Sequence, residues 1–275
     1  MSTSTIVALV LALASTVLIN LAYIREHDAA AALPVLSIRR PLQSARLLLS
    51  DRSWLLGFGM ESVGFLLYAA ALAIASLALV QSVAAGGIGV LAYVTARVAG
   101  RRLSRRERNG VLLSVLGLAA LGVSLVGGSA EGGQGSLVEI ALWLGATAGA
   151  AVLVLAFGRK MLGIAVAFGI AGGLFFSLGD VSTKIATEWG PRTVFVIPLI
   201  VGYTLGTWLL QLGYQQGGAL TVAGLATLLT NALPIAAGTV VLDEPVPSGV
   251  YGALRILAFA AVVAGAIFLA RPGRG

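Results

Sequence analysis

Residues 193–241 read TVFVIPLIVGYTLGTWLLQLGYQQGGALTVAGLATLLTNALPIAAGTVV, 49 positions without one charged side chain. A bilayer-spanning helix takes about 20 apolar residues, so the stretch is long enough for two. Tyr214-Gln215-Gln216-Gly217-Gly218 near its centre carries the glycines and amides of a tight turn. The rest of the chain has the same character. Of 275 residues, 58% are hydrophobic and 11% charged, at a mean hydropathy of +0.98, whereas a water-soluble domain covers its surface with about 25% charged residues. The sequence therefore predicts an all-α integral membrane protein forming a single polytopic domain over residues 1–275, with no room for a soluble one. The absence of Cys removes disulfides, thiol catalysis and thiolate metal ligands.

Apolar segments fall at 3–24, 54–76, 78–97, 109–127, 136–157, 161–187, 193–214, 217–241 and 249–270, which predicts nine spans. The first has no basic residue ahead of its apolar run and is about as long as a full span, so it reads as a retained helix rather than a cleaved leader. Residues 54–97 read as a second tight hairpin, divided near Ala75-Ser76. Lys and Arg accumulate on the cytoplasmic side of membranes. If the nine spans run from an outer N-terminus to an inner C-terminus, 15 of the 18 basic residues lie inside. These are Arg25, Arg39, Arg40, Arg46 and Arg52 in the first loop, the run from Arg97 to Arg108 in the third, Arg159 and Lys160 in the fifth, and Arg271 and Arg274 in the tail. Arg192, Glu131, Glu188, Asp243 and Glu244 then fall in outer loops. The formal charge of +7 is thus a cytoplasmic rim and implies no nucleic-acid partner. Its densest part, Arg101 to Arg108, reads as a topology anchor, with anionic lipid headgroups as the alternative ligand. Leu47-Leu48-Leu49 among the arginines of loop 25–53 predicts a short interfacial piece. Gly127 to Gly135 predicts a flexible outer loop.

A shift of 142 residues lays Ala78-Leu79-Val80 over Leu220-Thr221-Val222, Arg102-Leu103 over Glu244-Pro245, and Gly110 over Gly252. Residues 1–127 and 161–275 then form two four-helix repeats joined by a linking helix in 128–160, and in the topology above the repeats are inverted. Inverted repeats that meet at the membrane midplane around a central site are a transporter architecture. Gly86-Gly87-Ile88-Gly89 and Asn231-Ala232-Leu233-Pro234 are each able to weaken a helix near mid-membrane. For the glycines, close helix packing is the simpler account.

Three groups of residues carry a family likeness. They are Leu79-Val80-Gln81 with Gly100-Arg101-Arg102-Leu103-Ser104 and Gly110, the second copy at Asp243-Glu244-Pro245 and Gly252, and the segment Gly172-Gly173-Leu174-Phe175-Phe176-Ser177-Leu178-Gly179-Asp180-Val181-Ser182-Thr183-Lys184. In these the chain resembles the drug/metabolite transporter (EamA-like) superfamily. The segment from Gly172, the nine-span count and the turn at Gln211-Leu212-Gly213-Tyr214-Gln215-Gln216-Gly217 are similar to its NIPA-type magnesium transporter branch. The resemblance implies a multi-pass transporter of the plasma (inner) membrane moving Mg²⁺. Ser82-Val83-Ala84-Ala85 stands where such transporters often place a proline.

A charge inside a bilayer costs at least ~2.5–3.5 kcal/mol on insertion scales, so intramembrane ionisable residues are candidate functional groups. Glu61 lies about seven residues into the second span, ~10 Å deep at 1.5 Å per residue, and reads as the one carboxylate of the inner half. It is the first choice for a group that takes a proton or touches a cation. Asp180 and Lys184 are spaced to share a helix face and neutralise each other. If Lys184 snorkels outward, Asp180 faces the cavity. Arg255, near the outer end of the ninth span, is a second partner for Asp180 or an anchor for an anionic group. Asn20 reads as the approximate counterpart of Asp180 in the first repeat. Tyr68, Gln81, Tyr93, Tyr203, Trp208, Gln211, Thr227, Thr230 and Asn231 offer uncharged cavity walls, and Trp54 and Tyr251 fit interface belts.

Three functions were weighed on these residues. A secondary transporter uses all of them, for Mg²⁺ held by Glu61 and Asp180 or for a small metabolite or amphipathic compound. An intramembrane enzyme does not fit, because the single His, His27, is placed in a loop and no triad or His-rich zinc site assembles. A non-transporting scaffold or flippase partner subunit would not need the buried charges. The expected partners are the lipid bilayer and a small-molecule or ion substrate, with no cofactor, and Gly- and Ala-rich faces permit a homodimer. The orientation is directly testable in this Cys-free chain. In intact cells a membrane-impermeant maleimide is expected to label Ser129→Cys and to reach Ser104→Cys only after the membrane is opened; the reverse pattern would overturn the topology.

Overall fold

The computed structural model describes residues 3–75, 80, 83–84, 87–98, 100, 102–125, 135–186, 190–242 and 249–270. Gln81, Asp243-Glu244-Pro245 and most of the loop 127–135 lie outside the described residues. The rest is helical: α1 (Thr3–Ala32), α2 (Pro41–Ser50), α3 (Arg52–Ile74), α4 (Gly87–Val98), α5 (Arg105–Leu125), α6 (Leu137–Leu153), α7 (Ile164–Ala186), α8 (Val196–Tyr214), α9 (Ala219–Val241) and α10 (Val250–Ala270). α6 runs on through a π-type turn at Val154–Gly158 to Met161. Among the described residues, seven helices are long and apolar enough to cross a membrane: α1, α3, α6 with its extension, α7, α8 with the 3₁₀ turn ahead of it, α9 and α10. α5 opens with the polar run Arg105-Arg106-Glu107-Arg108, and α4 has 12 described residues.

Local chemistry sets the helix ends. The Asp51 carboxylate accepts from Trp54 N–H at 2.7 Å and starts α3, as expected of an N-cap acceptor. Ser104 and Glu107 cap α5 reciprocally, Ser104 N–H donating to Glu107 Oε2 at 2.8 Å and Glu107 N–H to Ser104 Oγ at 3.2 Å. The C-terminal end of α1 is held by Gln215. Its Nε2 donates to the carbonyls of Ala30, Leu33 and Pro34, and its Oε1 accepts from Leu36 N–H at 2.8 Å.

α7 and α9 form the centre. In their apolar windows 78% and 72% of residues are buried, against 22–39% in the other candidate spans. α8 and α9 pack along α7, α3 packs along α1, and α5 pairs with α10. Outer positions carry large apolar side chains such as Leu116, Leu142, Val152, Ile197 and Ile256, which suits lipid contact, while small residues let the inner helices approach. Gly202 of α8 is the tightest such contact between backbones. A Cβ there would lie 2.7 Å from the Phe175 carbonyl oxygen and 2.8 Å from Gly179 N.

Three sequence expectations change. The first span does not end at Ile24: α1 continues to Ala32, because Tyr23, Glu26, Ala29 and Ala30 are buried against its neighbours. Arg25, Glu26 and His27 are therefore helical rather than loop residues. Asn231 and Pro234 do not break α9, which is continuous from Ala219 to Val241. Both are buried against neighbouring helices. Trp54 is not an exposed belt residue; it is 5% exposed and stacks on Phe58. The short helix expected around Leu47 is α2, which seats Leu48 inward. Gly202→Ala is expected to lower the thermal midpoint of the purified protein, overpacking costing about 1–3 kcal/mol. Gly59→Ala, whose Cβ would meet nothing within 4 Å, should leave it unchanged; equal midpoints would contradict this packing account.

Candidate functional site

Five helices contribute to the walls of an open cavity of ≈420 Å³. α1 contributes Thr16, Asn20 and Tyr23, α3 contributes Glu61 and Tyr68, α7 Asp180, α8 Tyr203, and α9 Thr227, Thr230 and Asn231. Eight of the residues singled out in the sequence, Asn20, Glu61, Tyr68, Asp180, Tyr203, Thr227, Thr230 and Asn231, thus line one cavity. Two of them are carboxylic acids, and no Lys, Arg or His is among the described lining residues.

Asp180 is the most heavily bonded of these groups. Tyr203 donates its hydroxyl to Oδ1 at 2.5 Å, Thr230 donates to Oδ2, and Tyr68 adds a third side-chain hydrogen bond. An ionised carboxylate only accepts, with room for about four donors, so three hydroxyls from three helices suit it. Among the described residues no ion pair joins Asp180 to Lys184. The Asp180 carboxylate meets hydroxyls of other helices in place of the expected partner one turn along.

Glu61 is not the sole carboxylate at its level. Glu26, fully buried on α1, lies against it within hydrogen-bonding reach. Gln211 Nε2 donates to Glu26 Oε2 at 2.5 Å. One proton between two adjoining carboxyls makes their contact a hydrogen bond, since a protonated carboxyl is a donor. Spacing concealed Glu26, because Arg25 marked the end of the apolar run. The missed signal is a face of polar and aromatic residues at three- and four-residue steps, Thr16, Asn20, Tyr23, Glu26 and His27, which continues past that arginine.

Asn20 and Asn231 have the same local geometry. Each donates Nδ2 to the carbonyl four residues back, Asn20 to Thr16 at 2.8 Å and Asn231 to Thr227 at 2.6 Å. In each the Oδ1 has no hydrogen-bond partner. Asn20 and Asn231 thus share a side-chain geometry across α1 and α9.

Other candidates lie elsewhere. Gln211 sits behind the cavity wall on Glu26. Arg255 is buried, but its Nη1 donates to Thr239 at 2.7 Å and its Nε to Ser124 at 3.4 Å, which places it where α5, α9 and α10 meet and away from Asp180. Lys184, Tyr93 and Trp208 do not line the cavity, and Tyr93 instead lies under the Arg97 guanidinium.

The Glu26–Gln211 contact yields a stability test. Gln211→Leu removes the donor from a buried carboxyl and is expected to destabilise the purified protein by about 1–3 kcal/mol. The double variant Glu26→Met with Gln211→Leu should recover most of that loss, since matched apolar replacement of a buried polar pair is close to neutral. Additive losses in thermal denaturation would show that the two residues are not coupled.

The chain is similar to a protein of Arabidopsis thaliana described as a probable magnesium transporter, NIPA9, with 24% identity over 269 positions that cover 90% of this chain and 76% of the relative. No family model and no solved structure matches the chain significantly.

Proposed function

We propose that this chain is a secondary transporter of the drug/metabolite transporter type that moves a small cation, Mg²⁺, across the plasma membrane by alternating access. The observation that carries the reading is the cavity itself, whose described wall holds Glu61, Asp180 and several uncharged oxygens but no basic group. Glu61 and Asp180 supply the charge, and Asn20, Tyr68, Tyr203, Thr230 and Asn231 supply neutral acceptors and hydroxyls around it. Lys184 and Arg255, which a cation would avoid, do not line it. The NIPA9 likeness over 90% of the chain points to the same cargo.

Within this reading the chain has nine spans, N-terminus outside and C-terminus inside, built as two inverted four-helix repeats joined by α6. The packing supports the repeat. α1 lies along α3 as α7 lies along α8, and the closing helices of the two halves, α5 and α10, lie along each other. No bond-making chemistry is asked of the site, so the protein acts as a carrier and not as an enzyme.

Tyr23, Phe58, Phe65 and Phe176 also reach the cavity, and this aromatic surface favours an amphipathic organic solute as the second reading. Uptake into proteoliposomes with an entrapped Mg²⁺ indicator separates the two. Saturable uptake is expected for the wild type, falling about tenfold or more in Glu61→Gln and in Asp180→Asn, since a contact to a charged group contributes about 1.5–3 kcal/mol. No uptake above that of empty liposomes from folded protein would remove Mg²⁺ and leave the organic solute.

A further inference from the structure

We infer that the cargo is a cation recognised with its inner shell of water intact, and that Asn20 and Asn231 read that shell. The inference rests on the cation reading above. Both residues close the same short pattern, Thr16 to Asn20 on α1 and Thr227 to Asn231 on α9. In both, the amide meets a backbone carbonyl four residues earlier. Only the amide nitrogen is able to donate to a carbonyl oxygen, so this contact fixes which end of each side chain is which. The Oδ1 atoms are the ends left over. Neither has a partner, although Asn20 is 3% and Asn231 2% exposed.

A buried acceptor without a donor is unfavourable, and native interiors seldom keep one without a reason. Here two occur in identical local geometry on the wall of one cavity, one on α1 and one on α9. Thr227 Oγ1, on the same wall, also lacks a hydrogen-bond partner. Such acceptors suit a cation, or a ligand that arrives with N–H or O–H groups on its surface. Packing holds Asn20 in position: α4 approaches so closely at Gly87 that an added Cβ would run into the Asn20 amide nitrogen.

A bare Mg²⁺ is matched less well. It needs octahedral oxygens at about 2.0–2.1 Å and releases water reluctantly, and among the described residues no three acidic or histidine side chains are grouped to replace that water. The hydrated ion is matched better. Its outer surface consists of O–H donors, matching acceptors of the Asn type. Six waters at ~30 Å³ each occupy about 180 Å³, which a cavity of ≈420 Å³ accommodates.

Cobalt(III) hexaammine tests this, because it presents N–H donors in an octahedron and does not exchange its ligands. In wild-type proteoliposomes it is expected to compete with Mg²⁺ uptake. Asn20→Leu and Asn231→Leu are each expected to weaken that competition about tenfold, the scale of one hydrogen bond to a charged group. Asn20→Ala and Asn231→Ala serve the same purpose if a leucine variant fails to reconstitute. Saturable Mg²⁺ uptake that the hexaammine does not inhibit would overturn the inference and leave the cation reading standing. Competition undiminished in all the Asn variants would overturn the assignment to these residues. Absence of wild-type uptake would remove both the inference and the reading beneath it.

Discussion

Four helices meet on one carboxylate. Asp180 projects from α7 and takes hydroxyls from α3, α8 and α9. In a hydrocarbon surrounding, each of those hydrogen bonds replaces one that water would otherwise supply. A short donor contact tolerates little displacement, so the separations of these helices are set together. Tyr68, Tyr203 and Thr230 reach Asp180 from different helices, and all four residues line the cavity.

Around that carboxylate the central helices pack closely on one another. α7 and α9 are buried on nearly all sides, and glycines such as Gly202 bring backbones within direct contact. Large aliphatic side chains are turned outward on the surrounding helices. This arrangement follows from the solvent: lipid offers apolar groups no reason to turn inward, so association depends on close fit and on the few polar contacts.

Much of this was readable in the sequence. Charge-free runs as long as residues 193–241 have few alternatives to paired spans, and α8 and α9 end at the Tyr214 to Gly218 turn as read. Polar residues inside spans are scarce enough that each needs a reason, which is why Asn20, Glu61, Tyr68, Asp180 and Asn231 could be singled out. What spacing does not contain is direction. Lys184 stands in register with Asp180, yet the carboxylate turns to hydroxyls on other helices. Glu26 escapes for a different reason: Arg25 resembles the end of a span, although helix and burial continue for two more turns. Pro234 shows a third limit, because a local helix breaker yields to neighbours that leave the segment no other course.

Gln215 has a mechanical consequence. One side chain at the tip of the α8–α9 turn engages three carbonyls and one N–H at the end of α1, and so joins segments 179 residues and more apart. All of these contacts run through one side-chain amide, so displacing it strains them together. The α1 exit and the α8–α9 tip translate as one piece until the whole set releases, and separation at that end of the bundle is accordingly a threshold event rather than a gradual one.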